Sequence, residues 1–466
     1  MLFNSLHFII FLPVVLFLYN IAGKYKNHLL LLASFYFYMA WNYYFIALLL
    51  FSIIIDYFAA LSISRLPDES PKRKLYLFLS LFVNLGFLAY FKYTNFLLGI
   101  WNDLQITSFK FSEFSIILPV GISFYTFQSM SYTIDVYRKV IPARESFLEF
   151  SLYVSFFPQL VAGPIVRATT FFRDLEKRLS VDINVLRLSF AQILLGFTKK
   201  IVFADNLALC VDHVFNTSAT LGGVDIWIGV FAFMWQIYFD FSGYTDIAIG
   251  VARLFGFQFD QNFYFPFNVS SISEHWSRWH ISFTSWIRDY IFIPLGGSRG
   301  SEFLVSRNIF ITFLFGGVWH GAAYHYVAWG VWHSFMLITE RQYARTSVRE
   351  FLNAKGGFLY YSLCRLFTLF CIGLGLPLFR ANSLNDSYLM LEKMFRFHIF
   401  IFEPIQLISY LKLVVLLFIT GQIFEKYKLK KMLENQRSFT IFILVNFFLL
   451  LCFGVSESKS FIYFAF

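Results

Sequence analysis

Charged residues are scarce in this chain of 466 residues. Asp, Glu, Lys and Arg make up 14% of it, whereas ordinary soluble domains contain about 25%. Apolar residues reach 58%. This composition excludes a soluble globular protein and indicates one whose surroundings are lipid.

Cysteine is also rare, and the four residues present stand singly in apolar runs without a CxxC pair: Cys210, Cys364, Cys371 and Cys452. A disulfide framework and a zinc knuckle are therefore not indicated. Because a free cysteine behaves as a small buried hydrophobe, we predict that these four pack in the core.

Several catalytic and architectural signatures are missing. There is no HExxH motif, and the pairs His275/His280 and His320/His325 are five residues apart, which does not place two ligands on one helix face. No metal site is predicted. Without a fixed-period repeat or a low-complexity linker, we predict a single integral-membrane domain over residues 1–466.

Apolar and aromatic residues are abundant instead, with 22% aromatics and 65 Phe. A helix needs about 20 mostly apolar residues to cross the hydrocarbon. The sequence predicts an all-α polytopic membrane protein with about 11–13 transmembrane and re-entrant helices. We place them near residues 3–20, 29–43, 45–63, 76–92, 116–135, 148–165, 183–215, 224–252, 323–340, 358–379, 405–424 and 438–455, with 148–165 as a re-entrant or hairpin element broken at Gly163-Pro164.

The net charge of +10 comes from basic clusters separated by whole spans. This spacing does not form the continuous stripe that nucleic acid requires, so no nucleic-acid partner is expected. Loops rich in Lys and Arg stay cytoplasmic, which places loop 426–437 inside and both the N-terminus and tail 456–466 outside. The first stretch, 2–19, has no preceding Lys or Arg and no small-residue cleavage pattern, so it is predicted to be a retained span.

Residues 255–327 do not fit a lipid-facing span, because they combine many charges with large aromatics. Irregular polar backbone at membrane depth is tolerated only where protein buries it or water reaches it. The turn signal at 294–298 would interrupt a helix. We predict short and re-entrant helices here, lining a central polar cavity.

Two histidines within this region, His280 and His320, are candidate functional residues. An ionisable side chain at membrane depth is costly, so it faces the protein interior or a wet cavity and marks a functional site. Histidine also suits proton transfer near neutral pH.

The motifs around these histidines resemble the membrane-bound O-acyltransferase (MBOAT) family, in particular its bacterial branch of alginate and peptidoglycan O-acetyltransferases. The matching segments run in order along nearly the whole chain. They are 119–124 (PVGISF), 159–165 (QLVAGPI), 240–246 (DFSGYTD), 277–283 (SRWHISF), 286–290 (WIRDY), 293–297 (IPLGG), 317–322 (GVWHGA) and 379–381 (FRA).

The resemblance implies helices around a central tunnel, with His320 as the catalytic general base. It implies that His280 lines the same tunnel and supports catalysis or the donor. The alternative for His320 is a structural histidine that donates to a backbone carbonyl. The alternative for His280 is to hold its neighbours Arg278 and Trp279 in place.

The ending FIYFAF at 461–466 is similar to a tail found in this acyltransferase group. The resemblance implies that the hydroxyl of Tyr463 carries the acyl group. A phenol is a weak nucleophile at its free pKa near 10 and needs a base such as His320. The alternative is an aromatic anchor at the membrane interface.

Further residues are candidates for lining the tunnel or supporting the donor. They are Arg278, Trp279, Arg288, Asp289, Trp319, Asp240 and Asp246. For the charged members, and for Arg380, we favour ion pairs that make polar segments tolerable in the membrane.

The resulting prediction is a multi-pass O-acetyltransferase of the bacterial cytoplasmic (inner) membrane. It would hold no bound cofactor and take acetyl from a cytoplasmic thioester donor, acetyl-CoA. It would pass this group to an external SGNH-type partner that O-acetylates a cell-surface polysaccharide.

Three alternatives remain open. The first is D-alanyl transfer to teichoic acid, with a carrier protein as donor. The second is a transporter or flippase for a lipid-linked sugar, with the histidines as a proton relay, although the repeats common in transporters are not found. The third is a non-catalytic scaffold, which does not explain buried imidazoles.

Overall fold

The computed structural model describes residues 1–105, 110–396, 435–455 and 461–462. Throughout these residues the regular secondary structure is helical, which confirms the all-α class. The α-helices are Leu6–Ile21, Lys26–Met39, Ile46–Arg65, Pro71–Leu88, Thr94–Asp103, Ile122–Tyr137, Phe147–Ser155, Ala168–Glu176, Ile183–Phe197, Asp205–Asn216, Gly223–Leu254, Ile272–Arg278, Ile281–Ile287, Glu302–His320, Tyr324–Tyr343, Ser347–Lys355, Gly357–Arg380, Leu384–Met394 and Gln436–Phe453.

Short helices of other types join several of these. Three π-helical segments, Ala89–Tyr93, Thr198–Ala204 and Arg288–Phe292, continue directly from α-helices. Such segments are frequent at functional sites. Two 3₁₀ turns, Gly23–Tyr25 and Tyr43–Phe45, precede the second and third α-helices.

Six helical runs in the described part of the chain are long and apolar enough to cross a membrane. They are Tyr43–Arg65, Pro71–Asp103, Gly223–Leu254, Glu302–His320, Gly357–Arg380 and Gln436–Phe453. The apolar helix Leu6–Ile21 is slightly shorter. These runs confirm a multi-pass membrane protein.

The helix Glu302–His320 corrects the expectation for residues 255–327. Short helices do occupy 272–278 and 281–287, but this one has 19 residues and is capped by Ser301, whose side chain accepts a hydrogen bond from the Leu304 N–H. A serine cap satisfies one of the free N–H groups at a helix start. The charged residues near 299–307 therefore mark the end of a span rather than a break within it.

Two further helix boundaries differ from the predictions. The element expected at 148–165 is the short helix Phe147–Ser155, so it ends well before Gly163-Pro164. The span expected at 116–135 begins only at Ile122, because Gly121 adopts a left-handed conformation at φ 79° and caps it. A side-chain carbon at Gly121 would also lie 2.7 Å from the carbonyl oxygen of Leu160.

The cysteines differ in environment. Cys210 and Cys371 are buried and Cys364 is partly buried, but Cys452 is exposed on the last helix. Core packing is therefore wrong for Cys452, because its helix Gln436–Phe453 has Asn446 as its single buried residue.

The chain divides into two compact units. The first comprises the described parts of Met1–Ile193 and Tyr244–Asp260, and the second those of Leu194–Gly243 and Gln261–Ile462. The helix Gly223–Leu254 contributes to both. The single domain predicted for residues 1–466, with an external tail at 456–466, stays a prediction.

In the first unit a buried carboxylate joins three helices. Asp56 accepts hydrogen bonds from Ser80 at 2.5 Å, from the Asn84 amide at 2.9 and 3.0 Å, and from Ser129. Ser52 in turn donates to Asn84 at 2.5 Å. Because a buried polar group is costly unless it is hydrogen-bonded, this network fixes the packing of Ile46–Arg65, Pro71–Leu88 and Ile122–Tyr137.

In the second unit the helices Glu302–His320 and Tyr324–Tyr343 form a close hairpin. A side-chain carbon at Gly317 would lie 2.4 Å from the carbonyl oxygen of Tyr326. One at Gly330 would lie 2.5 Å from that of Phe313. Glycine is required at both positions because the two backbones touch there, which sets the position of the end of the first helix.

Candidate active site

His320 is the last residue of the helix Glu302–His320 and is 3% exposed. The helix ends there because Gly321 turns to an extended conformation. The preceding Gly316 and Gly317 lie inside the helix and do not break it. Gly317 instead allows the close helix contact that holds His320.

Aromatic rings surround the His320 imidazole. Ring centroids lie 4.9 Å away for Trp319, 5.1 Å for Trp329, 5.1 Å for Phe379 and 5.7 Å for Phe283. These rings come from four different helices of the second unit. The imidazole is thus enclosed by apolar groups of fixed position.

His280 is the residue that caps the helix Ile281–Ile287, and it is 1% exposed. Its backbone is left-handed, with φ 41°. A residue other than glycine pays free energy for this conformation, and such strain clusters at functional sites. Its ring lies 4.6 Å from Phe241 and 5.1 Å from Phe283.

A stacked pair of rings lies against both imidazoles. The centroids of Phe283 and Trp319 are 4.2 Å apart at an interplanar angle of 23°. Phe283 contacts His280 and His320, and Trp319 lies 6.2 Å from His280 and 4.9 Å from His320. The structure therefore brings together three of the predicted residues: His280, His320 and Trp319.

Phe283 belongs to this group although it was not among the predicted site residues. Its spacing from His280 was a usable signal, since residues three apart lie on one face of a helix. We call His280, Phe283, Trp319 and His320 the histidine cluster.

Three other histidines of the second unit are buried, and two of them, His275 and His325, lie against backbone carbonyl groups. Nδ1 of His275 lies 2.7 Å from the carbonyl oxygen of Pro266, and Nδ1 of His325 lies 3.0 Å from that of Leu378. Because a carbonyl oxygen only accepts, each Nδ1 carries the proton. These two histidines hold the chain in place.

The predicted residues next to His280 form local contacts. Arg278 pairs with Glu274 at 2.7 Å and lies over the ring of Tyr264. Trp279 is buried with its ring 5.0 Å from that of Phe263. These contacts support the helix that precedes the histidine cluster.

The remaining predicted charged residues lie in ion pairs or hydrogen bonds. Arg288 pairs with Asp289 at 2.8 Å, and the arginine side chain is 61% exposed. Arg380 pairs with Asp212 at 3.1 Å. Asp246 lies in the first unit, where it accepts a hydrogen bond from Gln192 at 3.1 Å.

Asp240 lies in a buried ion group that the sequence analysis did not identify. Nζ of Lys200 is 2.7 Å from Asp240 and 2.8 Å from Asp205, and all three side chains are at most 3% exposed. Lys200 belongs to the π-helical segment Thr198–Ala204. A lysine inside an apolar helical run was the available signal, because it requires a buried partner.

The backbone of the tail contacts the same group. The Ile462 N–H donates to Asp240 at 2.8 Å, and Lys200 lies 4.7 Å from the ring centroid of Phe461. Tyr463 lies outside the described residues, as do the predicted span 405–424 and most of the loop 426–437. Among the residues that the structure describes, no three His, Cys, Asp or Glu side chains are placed to hold a metal ion.

Comparison with known proteins identifies related sequences. The model of the membrane-bound O-acyltransferase family matches residues 34–376. A Pseudomonas aeruginosa protein named probable alginate O-acetylase AlgI is 41% identical over 406 residues, covering 85% of this chain and 75% of that protein.

Two further relatives are informative. The peptidoglycan O-acetyltransferase of Helicobacter pylori is 35% identical over 427 residues, 84% of this chain and 80% of that protein. The teichoic acid D-alanyltransferase of Bacillus subtilis is 27% identical over 256 residues, 52% of this chain and 64% of that protein.

Proposed function

The chain belongs to the membrane-bound O-acyltransferase family, and from this premise we propose that it transfers acetyl groups from a cytoplasmic thioester to an external acceptor. The donor is acetyl-CoA, and the final product is an O-acetylated cell-surface polysaccharide of the alginate or peptidoglycan type. The protein resides in the bacterial cytoplasmic membrane and works with an external SGNH-type partner.

The histidine cluster is the observation that carries this proposal. Transfer from a thioester to a hydroxyl needs a base that removes the hydroxyl proton. His320 is that base, and Phe283 and Trp319 fix its orientation. The deprotonated oxygen attacks the thioester carbonyl, the C–S bond breaks, and the thiolate leaves with a proton returned from the imidazole.

His280, which also packs against Phe283 and Trp319, supports the same reaction. Its strained backbone is maintained although glycine would avoid the cost. This supports a role for the imidazole itself. Positioning of this kind contributes strongly to rate, because reacting groups must be aligned before transfer.

Tyr463 is the proposed acceptor of the acetyl group from the thioester. Its phenol oxygen becomes an acetyl ester, which the external partner then uses. The residue follows Phe461–Ile462, which contact Lys200 and Asp240 in the same unit as the histidine cluster.

Acetyl transfer is favoured over D-alanyl transfer by the comparisons. The two O-acetyl relatives match 84–85% of the chain, whereas the D-alanyl relative matches 52% at lower identity. Membership of an O-acyltransferase family argues against the transporter and scaffold alternatives.

The test uses the purified full chain in lipid with radiolabelled acetyl-CoA. We expect label on the wild-type protein as a base-labile ester and none on Tyr463→Phe, which removes one oxygen and keeps the ring. Tyr388→Phe, at an exposed tyrosine of the helix Leu384–Met394, is the matched control and should label fully.

Each contrary result has a separate meaning. Full labelling of Tyr463→Phe would remove this residue from the reaction. Absence of label from acetyl-CoA, with label from an acetylated carrier protein, would overturn the proposed donor.

A further inference from the structure

The side chains of Lys200, Asp205 and Asp240 form an ion group that is almost completely buried. One lysine faces two carboxylates, at 2.7 and 2.8 Å. Burying charges costs more than their attraction returns unless additional hydrogen bonds complete the arrangement. Asp240 therefore needs a donor besides Lys200, and the Ile462 N–H supplies it at 2.8 Å.

We propose that this ion group is a binding site for the C-terminal segment of the chain, and that Lys200 and Asp240 are positioning residues for Tyr463. We call Lys200, Asp240 and the bound residues Phe461–Ile462 the tail clasp. This inference rests on the proposed role of Tyr463 as acetyl acceptor.

Two contacts of different kinds hold the segment in the tail clasp. The hydrogen bond from Ile462 to Asp240 is assisted by the negative charge, which makes it stronger than a neutral one. The Lys200 ammonium lies 4.7 Å from the ring centroid of Phe461, close enough for a cation–π interaction. Phe461 is 1% exposed, so its ring is fully enclosed.

The same part of the chain also holds the end of the last helix. Nδ2 of Asn206 donates to the carbonyl of Phe453 at 2.9 Å, and the Val455 N–H donates to that of Ile201 at 3.5 Å. Residues 453–455 and 461–462 are thus both attached to residues 200–206 or to Asp240.

The consequence for Tyr463 follows from chain geometry. Consecutive Cα atoms are about 3.8 Å apart. Because Tyr463 follows Ile462 directly, holding Ile462 at Asp240 also limits how far the Tyr463 backbone can move away from Asp240. The tail clasp therefore limits how far the proposed acceptor can travel before transfer.

Asp240→Asn tests the clasp from the protein side with almost no change in shape. The asparagine oxygen will face the Lys200 ammonium, since the amide nitrogen would meet it as a second donor. The amide nitrogen then faces the Ile462 N–H, and two donors oppose each other. Lys200 keeps its pair with Asp205, so the buried ion group is not left uncompensated.

Ile462→Pro tests the same hydrogen bond from the tail side, because proline has no N–H. This variant changes the tail and leaves the side chains of the ion group unchanged. It therefore still tests the clasp if Asp240→Asn does not fold. Ile462→Ala is its matched control, since alanine retains the N–H.

Release of the tail is measured by trypsin cleavage after Lys459 in the full chain, with the peptide 460–466 quantified by mass spectrometry. Cleavage of a bound segment follows the population of its released state. We expect both Asp240→Asn and Ile462→Pro to be cut about ten- to a hundredfold faster than wild type, because each loses a hydrogen bond to a charged group. Ile462→Ala should resemble wild type.

A double variant makes the test specific. If Asp240→Asn and Ile462→Pro break one hydrogen bond, their combination should be cut no faster than either alone. Multiplying effects, or wild-type cleavage rates in both single variants, would overturn the clasp.

Acetylation of the glycan separates this inference from the proposed function. We expect the two clasp variants to lose delivery of acetyl while the thioester is still bound with unchanged affinity. A released tail with full glycan acetylation would overturn the relay through Tyr463 and leave the clasp standing as a binding site. A tail that stays protected would overturn the clasp whatever the activity.

Discussion

Four of the five histidines that are buried in the described part of the second unit form two pairs with different surroundings, and the fifth, His333, packs against Trp276 and Trp329. His275 and His325 each donate from Nδ1 to a backbone carbonyl, at 2.7 and 3.0 Å. His280 and His320 instead contact the shared rings of Phe283 and Trp319. All four are at most 6% exposed, so burial alone does not distinguish them.

The difference lies in what each ring contributes. A hydrogen bond from an imidazole to a backbone carbonyl satisfies both polar groups and links two segments of the chain, so it stabilises the fold. At His280 and His320, the rings of Phe283 and Trp319 limit the orientation of the imidazoles by packing against them. On the proposed mechanism, we expect substitution of His280 or His320 to lower acetyl transfer, and substitution of His275 or His325 to lower stability.

The largest loss of acetyl transfer is expected when His320 is replaced. We expect His320→Ala to lower the rate of acetyl transfer about 10²–10⁴-fold, the usual cost of losing a general base. The measurement is transfer from radiolabelled acetyl-CoA by purified protein, with folding checked by thermal unfolding in detergent. Wild-type transfer by a folded variant would remove His320 from the mechanism.

His280 gives a smaller effect with an internal control. We expect His280→Gly and His280→Ala to lose activity alike, about 10²-fold, because positioning is lost in both. Their stabilities should differ, since glycine relieves the left-handed strain and alanine does not. Activity that follows stability, with the glycine variant near wild type, would assign His280 a backbone role alone.

The sequence predicted the spans well wherever length and apolar composition decide them. The predictions at 45–63, 224–252 and 358–379 correspond to Ile46–Arg65, Gly223–Leu254 and Gly357–Arg380. Glu302–His320 was missed because Arg299, Glu302 and Arg307 lie at or near its start, and these charges lower the mean hydropathy of a segment that is otherwise apolar.

The site was predictable only where a residue is costly to bury. Two histidines and Asp240 stand out in an apolar chain for that reason, and the family motifs pointed to the same positions. Phe283 is one of 65 phenylalanines, and its contact with both imidazoles depends on the distant end of another helix. Lys200 and Asp205 likewise acquire meaning only when the fold brings Asp240 to them.

The next largest loss of acetyl transfer is expected when the ring of Phe283, which both imidazoles contact, is removed. Phe283→Leu keeps an apolar side chain but removes the ring that stacks on Trp319 and contacts both imidazoles. We expect transfer to fall about tenfold, from imperfect alignment rather than loss of the base. Phe303→Leu, at a 77% exposed ring on the helix Glu302–His320, is the control and should retain full activity. Equal activity in the two variants would show that the stack has no role.

The smallest effect on activity is expected at His325, and it tests the other half of the comparison. His325→Ala leaves the Leu378 carbonyl without its donor, which costs about 1–3 kcal/mol for a buried group. The midpoint of thermal unfolding should fall while transfer by the folded protein stays within about twofold of wild type, because the ring serves the chain rather than the reaction. His325→Gln restores a donor and should recover part of the lost stability. A large loss of transfer at unchanged stability would show that His325 takes part in the reaction as His320 does, and the proposed difference between the two pairs would be wrong.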